Sequence, residues 1–390
     1  RHHVDGLILR RLDRPFVRKD GKLVEASWGE AFAAIKAVNA GASVAAIAGD
    51  LADCESMFAA KALVNALGSN LLEGRQTGLK YDVSSLSAVN FNTTIAEAEN
   101  ADVVLLVGTN LRWEAPLINT RIRKAVWKRG VKVYTIGQDI DQSYKTQHLG
   151  NDASLVANLP ADVLEALSKA ERPMIIVGGG ALSVDGVHGA ALALAEKVGA
   201  VKDDWNGFNV VHFSASRMGG LMLGYAQKGG IADIVAAKPK LAFFLGADEV
   251  DFANFADTVK VYVGHHGDKG AHAADIILPA SAWTEKDFTT VNTEGRVQRS
   301  ERAVFAPGDA RDDWSIFRAL ADALGVKLGF DNFDACRAAM IAAVPALGVV
   351  GLADYGWSVP SLPASPEARE IPSPIKDFYL TNSICRASPT

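Results

Sequence analysis

One pattern recurs along this chain: a short apolar run rich in β-branched residues, a glycine, then a helical stretch. The runs are Val44–Gly49, Val103–Gly108, Val131–Gly137, Met174–Gly178, Leu241–Gly246 and Val259–Gly264. Apolar runs of this length alternating with helices predict parallel strands buried on both faces. A glycine at the strand end lets the chain turn sharply into the next helix. The spacing of apolar positions predicts helices over Ala52–Leu67, Ala115–Arg129, Ala161–Ala170, Ser183–Val198 and Ile231–Ala237. Further on it predicts a strand at Ala273–Pro279, an extended loop over Thr284–Arg302, and helices at Arg311–Leu324 and Asn332–Ala343.

Three strand runs precede residue 140 and three follow residue 170, with the polar, loop-like stretch Gln142–Pro160 between them. This predicts an α/β protein of two doubly wound Rossmann-like lobes. The expected divisions are a leading segment at 1–40, a first α/β lobe at 41–150, a second at 151–350, and an extended tail at 351–390. One lobe inserted into the other remains open, because order along the chain need not match grouping in space. Residues 355–390 hold six of the fourteen prolines, so the tail is expected to be extended and draped over a neighbour rather than folded alone.

Composition narrows the function classes. The 390 residues are 49% apolar, enough for two cores of ordinary size. A net charge of −5 supplies no basic excess for nucleic-acid binding. No apolar stretch approaches the length of a membrane span, so direct membrane insertion is not expected. Cys54, Cys336 and Cys385 are far apart, which fits a reducing compartment and no disulfide framework. No Cys-x-x-Cys or cysteine-rich run is present to hold an iron–sulfur cluster. The chain starts at Arg1 with neither a signal nor a transit pattern, as expected of a segment of a longer protein.

Candidate chemistry is sparse. Gly178-Gly179-Gly180 follows a strand and precedes a helix, where a phosphate could sit. With Ser183 in place of the third glycine it lacks the dinucleotide fingerprint and reads as a tight turn. His265, His266 and His272 near Asp268 invite a metal reading, but their spacing matches no standard zinc pattern. Asp139 and Asp141 read as turn residues. The densest polar cluster is Leu278-Pro279, Trp283-Thr284-Glu285-Lys286-Asp287 and Asn292-Thr293-Glu294-Gly295-Arg296-Val297-Gln298. Loops so placed often line a cleft; the plainer reading is a loop that pairs its own Glu and Arg.

That cluster resembles the molybdopterin oxidoreductase family, in which a similar loop runs near the pterin. Arg11-Leu12-Asp13-Arg14-Pro15-Phe16-Val17-Arg18 and Ala101–Asn110 with Pro116 and Arg121 are similar to that family too. The chain departs from the family pattern at Gly78-Leu79-Lys80-Tyr81-Asp82-Val83-Ser84-Ser85, which has no thiolate where a metal ligand is expected. Asp82 or Ser84 could substitute. The family's C-terminal barrel is missing. A nearer resemblance is to the C-terminal part of the large iron–sulfur subunit of respiratory complex I (the 75-kDa type, or G subunit), in its mitochondrial and alphaproteobacterial branch. It is carried by Asn92–Ala96, Gly108–Leu117, Arg121–Lys124, Gly264–Asp268 and Ile375–Ile384.

The resemblance implies a non-catalytic segment with no catalytic, cofactor-binding or metal-binding residues. The parent protein would carry [2Fe-2S] and [4Fe-4S] clusters upstream of Arg1. Partners would be other peripheral-arm subunits on the flavin and quinone sides, at the cytoplasmic face of the bacterial inner membrane or the matrix side of the mitochondrial one. The alternatives are part of an active molybdopterin-dependent oxidoreductase, or a module binding a small ligand in a vestigial cleft near Glu294, Arg296 and Gly178.

Overall fold

The computed structural model describes residues 2–373 and 375–390. Two sheets organise it. The larger runs Lys22–Glu25, Phe16–Lys19, Ile276–Pro279, Val259–Gly264, Leu241–Leu245, Val44–Ala48, Leu71–Glu73 in spatial order. The last five are mutually parallel; Phe16–Lys19 joins antiparallel to Ile276–Pro279. The smaller sheet runs Phe208–Val210, Pro173–Val177, Val103–Val107, Lys132–Ile136, Gln147–Gly150, all parallel. Val44–Ala48, Pro173–Val177 and Leu241–Leu245 are buried at every residue, as central parallel strands require.

The smaller sheet is inserted between Leu71–Glu73 and Leu241–Leu245 of the larger. A boundary at residue 150 therefore falls inside the smaller sheet, and the ranges 41–150 and 151–350 do not each own one. The first 40 residues supply two strands at one side of the larger sheet, with Lys22–Glu25 at its edge. The physical cause is register: Val44–Ala48 and Leu241–Leu245 pair along their whole lengths, and nothing local distinguishes that pairing from any other between equally apolar runs.

The helices end where their caps dictate. Asp53 caps Cys54–Ala66 by accepting the Ser56 N–H at 2.8 Å. Pro116 opens Pro116–Arg129, and Gly130 closes it in the left-handed region. The helix expected over Ser183–Val198 starts later, at Val187–Lys197 after Gly186 with φ +78°, and a separate short helix, Gly179–Leu182, precedes the expected start. Gln142–Pro160 contains the edge strand Gln147–Gly150 and a 3-10 turn at Ala153–Val156.

Thr284–Arg302 is not a loop throughout. It contains a hairpin, Phe288–Val291 with Arg296–Ser300, to which Gly351–Leu352 adds. Thr289, Val291 and Val297 face inward and fix its register. Asn292 Oδ1 makes the turn by accepting the N–H groups of Glu294 at 3.1 Å and Arg296 at 3.0 Å.

Candidate functional site

In open parallel sheets, ligands bind beyond the carboxyl ends of the strands, where the strand order reverses. In the smaller sheet that reversal lies between Val103–Val107 and Pro173–Val177. The turns there are Gly108-Thr109-Asn110 and Gly178-Gly179-Gly180. Between them sits Glu114, from the short helix Leu111–Glu114. Its carboxylate accepts the Gly179 N–H at 3.0 Å, the Asn110 N–H at 2.6 Å and the Thr109 hydroxyl at 2.9 Å. Burial raises its pKa to about 7, against the pull of those donors. The glycine turn thus donates to a carboxylate of its own chain. Ser183 donates to the Gly180 carbonyl at 2.7 Å.

The space above that turn is also taken. A Cβ on Gly108 would lie 2.8 Å from Ile371 Cγ2, and one on Gly180 would lie 2.2 Å from the Pro372 carbonyl oxygen. Ile371 is buried there. A pterin with anionic phosphate groups does not fit this turn: the donors face a carboxylate, and the adjoining space holds Ile371 and Pro372.

In the larger sheet the order reverses between Val44–Ala48 and Leu241–Leu245. Asp50, just past the first of these, pairs with Arg217 at 3.2 Å. Asp248, just past the second, accepts the Gly270 N–H at 2.9 Å and the Tyr262 hydroxyl at 3.0 Å. Burial lifts its pKa to about 6.

The histidines do not form a ligand set. His265 Nδ1 and His266 Nδ1 are 2.6 Å apart, and His266 Nε2 lies 3.0 Å from the Gly6 carbonyl. Nε2 therefore donates to Gly6, leaving Nδ1 of His266 to accept from His265. Burial depresses both pKa values, that of His266 to about 4, so the pair is neutral. His272 is exposed and Asp268 is bound to Arg386. Among the described residues, no three His, Cys, Asp or Glu side chains are placed to hold a metal ion.

Within the polar cluster that carries the resemblance, Glu285, Lys286 and Glu294 are buried, while Trp283, Asp287 and Gln298 are exposed. Glu285 is gripped by both arms of Arg11, one at 2.6 Å. Lys286 lies between Asp53 at 2.6 Å and Asp313 at 2.5 Å. Asp287 accepts the Arg302 N–H at 2.7 Å. Glu294 accepts from Arg296 Nε and from the Ile95 N–H, each at 2.8 Å. Glu294 lines a hollow of about 220 Å³ with Asn90, Asn92, Asn206 and Tyr355. Gly178 does not line it, so those two candidates belong to different places.

Asp82 accepts the Ser84 N–H at 2.9 Å, and Ser84 itself is exposed. Asp139 is exposed, and Asp141 pairs with Arg112 at 3.2 Å on the surface. The cysteines are free and buried; burial pushes the Cys54 thiol up and that of Cys336 to about 12.

Sequence reasoning missed Glu114 and Arg386 as groups that fill the strand ends. A signal for the first existed: an acid six residues beyond a strand-ending glycine.

Comparison with known proteins agrees with this architecture. A model of the molybdopterin oxidoreductase family matches residues 11–323, and one for the C-terminal part of the G subunit of NADH-ubiquinone oxidoreductase matches 357–390. The chain is 40% identical to the mitochondrial NADH-ubiquinone oxidoreductase 78 kDa subunit of Neurospora crassa, over 99% of this chain and 55% of that protein. It is 42% identical to the G subunit of NADH-quinone oxidoreductase from Rickettsia prowazekii, over 85% of this chain and 50% of that one. The chain thus spans about half the length of these curated relatives. Among solved structures, the formyltransferase/hydrolase complex of Methylorubrum extorquens superposes with a TM-score of 0.58 at 17% identity, covering 80% of this chain and 98% of that one. Acetylene hydratase of Pelobacter acetylenicus gives 0.55 at 13%, covering 89% and 66%. At such identities these two establish the fold alone. The chain belongs to the molybdopterin oxidoreductase family, in the branch formed by the G and 75-kDa subunits of complex I.

Proposed function

We propose that this chain is a non-catalytic structural segment of the peripheral-arm iron–sulfur subunit of NADH:quinone oxidoreductase. The parent protein relays electrons from NADH and flavin toward quinone through [2Fe-2S] and [4Fe-4S] clusters held outside this segment. No residue here is catalytic or binds a cofactor or metal. Its partners are the other peripheral-arm subunits, on the cytoplasmic face of the bacterial inner membrane or the matrix side of the mitochondrial one. No helix among the described residues is long and apolar enough to cross a membrane.

The observation that carries this reading is the inward pairing of the loop that resembles the family's pterin-side loop. Glu285, Lys286 and Glu294 are all consumed by Arg11, Asp53, Asp313 and Arg296 of the same chain. Such groups fix one loop conformation, and the charges of Glu285, Lys286 and Glu294 are met within the chain.

The test is made in the intact parent protein. Deleting residues 30–350 is expected to lower the amount of assembled complex while the cluster spectra of the remaining portion persist. Normal assembly after that deletion refutes the proposal.

A further inference from the structure

The proline-rich tail lies over its own chain, along a path with two chemically different seats. Ser85 donates to the Ser358 carbonyl at 2.9 Å, and the Ser358 N–H donates to Ser87 at 3.1 Å. The chain then crosses Val187–Lys197 and reaches the smaller sheet. There Ala153 N–H donates to the Arg369 carbonyl at 2.9 Å and Ile371 N–H to the Asn151 carbonyl at 3.0 Å. Ile371 and Pro372 fill the glycine turns at the point where the strand order reverses. From there the tail passes to the larger sheet. Thr381–Ser383 and Arg386 stand against Asp50, Gly246 and Glu249 at the other reversal point, leaving a gap of only about 10 Å³. That is no more than one water occupies. Arg386 Nε bonds Asp268 at 2.5 Å, and another guanidinium nitrogen lies 2.7 Å from Glu249.

We propose that residues 362–373 and 375–387 are a built-in strap that occupies the ligand positions of both sheets in place of a cofactor and ties the two sheets together. The inference rests on family membership, not on membership of the complex.

Two glycines carry the argument. Gly180 and Gly189 lie in helices and do not have positive φ, so their backbone conformation does not call for glycine. Glycine inside a helix is unfavourable relative to alanine. What a Cβ would meet at Gly189 is the strap: the Pro363 carbonyl oxygen at 2.2 Å and Leu362 Cβ at 3.0 Å. At Gly180 it is the Pro372 carbonyl first, with the Gly108 carbonyl behind it. The helices are notched where the tail crosses them. The first seat is thus a matter of shape and apolar burial, indifferent to salt. The second is ionic and sits on acids at the larger sheet's strand ends.

The decisive substitution is Gly189→Ala in the intact parent protein. Without a seated strap, this change favours the helix and raises the melting temperature. With the strap seated, the expected result is a lower melting temperature and amide exchange over residues 364–373 faster by about tenfold or more. A raised melting temperature with unchanged tail exchange overturns the proposal. Arg386→Ala supplies the second measurement. It is expected to speed exchange at 381–387 and at 246–249 while 364–373 stays protected. Unchanged exchange at 246–249 overturns the claim that the strap holds the larger sheet. Both readouts come from the purified parent protein, so they do not depend on whether it assembles with partners.

Discussion

The Lys286 ammonium lies 2.6 Å from Asp53 Oδ2, while Asp53 Oδ1 caps the helix Cys54–Ala66 through the Ser56 N–H. One carboxylate thus starts a helix of the larger-sheet lobe and anchors the loop that precedes the hairpin. Asp313 closes the triad from a second helix. Burial works against the charge on Lys286, but the fields of Asp313 and Asp53 outweigh it and raise its pKa.

Lys286→Met is therefore expected to leave two buried carboxylates facing each other. The loss of stability is on the order of 3–5 kcal/mol, read by chemical denaturation. Adding Asp313→Leu to Lys286→Met is expected to recover part of the loss. A double variant no better than the single one argues against the triad as the cause.

Glu114 should impose a pH dependence. Burial raises its pKa from 4.5 to about 7, so the folded chain holds that proton more tightly than the unfolded chain. The stabilising contribution is complete below about pH 4.5 and is lost as pH rises through about 7. Across that window it amounts to roughly 3 kcal/mol. Glu114→Gln is expected to flatten that part of the stability profile; a profile as steep as wild type refutes the assignment.

Metal content separates this segment from a working pterin enzyme. Elemental analysis of the purified full-length parent protein is expected to find no stoichiometric molybdenum or tungsten. Asp82→Asn and Ser84→Ala are expected to leave that result unchanged. Stoichiometric metal that disappears in either variant would restore the enzyme reading.

Gly295 closes the hairpin turn with φ +74°, and a Cβ there would lie 2.8 Å from the Tyr355 ring. Gly295→Ala adds left-handed strain to that clash and is expected to cost about 2 kcal/mol. Thermal unfolding reads it directly. A variant as stable as wild type would mean that the tail near Tyr355 yields easily.

The element pattern was legible because it is local. Val44–Ala48, Val103–Val107 and Leu241–Leu245 follow apolar runs ended by glycine, and helix Ile231–Ala237 falls where apolar spacing puts it. Short edge strands such as Leu71–Glu73 and Phe208–Val210 were not legible, since three residues show no period. The Phe288–Ser300 hairpin was hidden by its polar turn, because charged residues that pair inward look in one dimension like charged residues that face a cleft.

What this sequence determined by itself was its class: α/β lobes, no cysteine array, and a family resemblance strung in order along the chain. The tertiary structure decided which strands share a sheet, where Glu285 and Lys286 point, and what fills the strand ends. Those depend on contacts between residues far apart in the chain, such as Val44 with Leu241, Arg11 with Glu285, and Gly180 with Pro372. Hydrophobic periodicity records burial at each position but not the identity of the partner, so only folding in three dimensions assigns them.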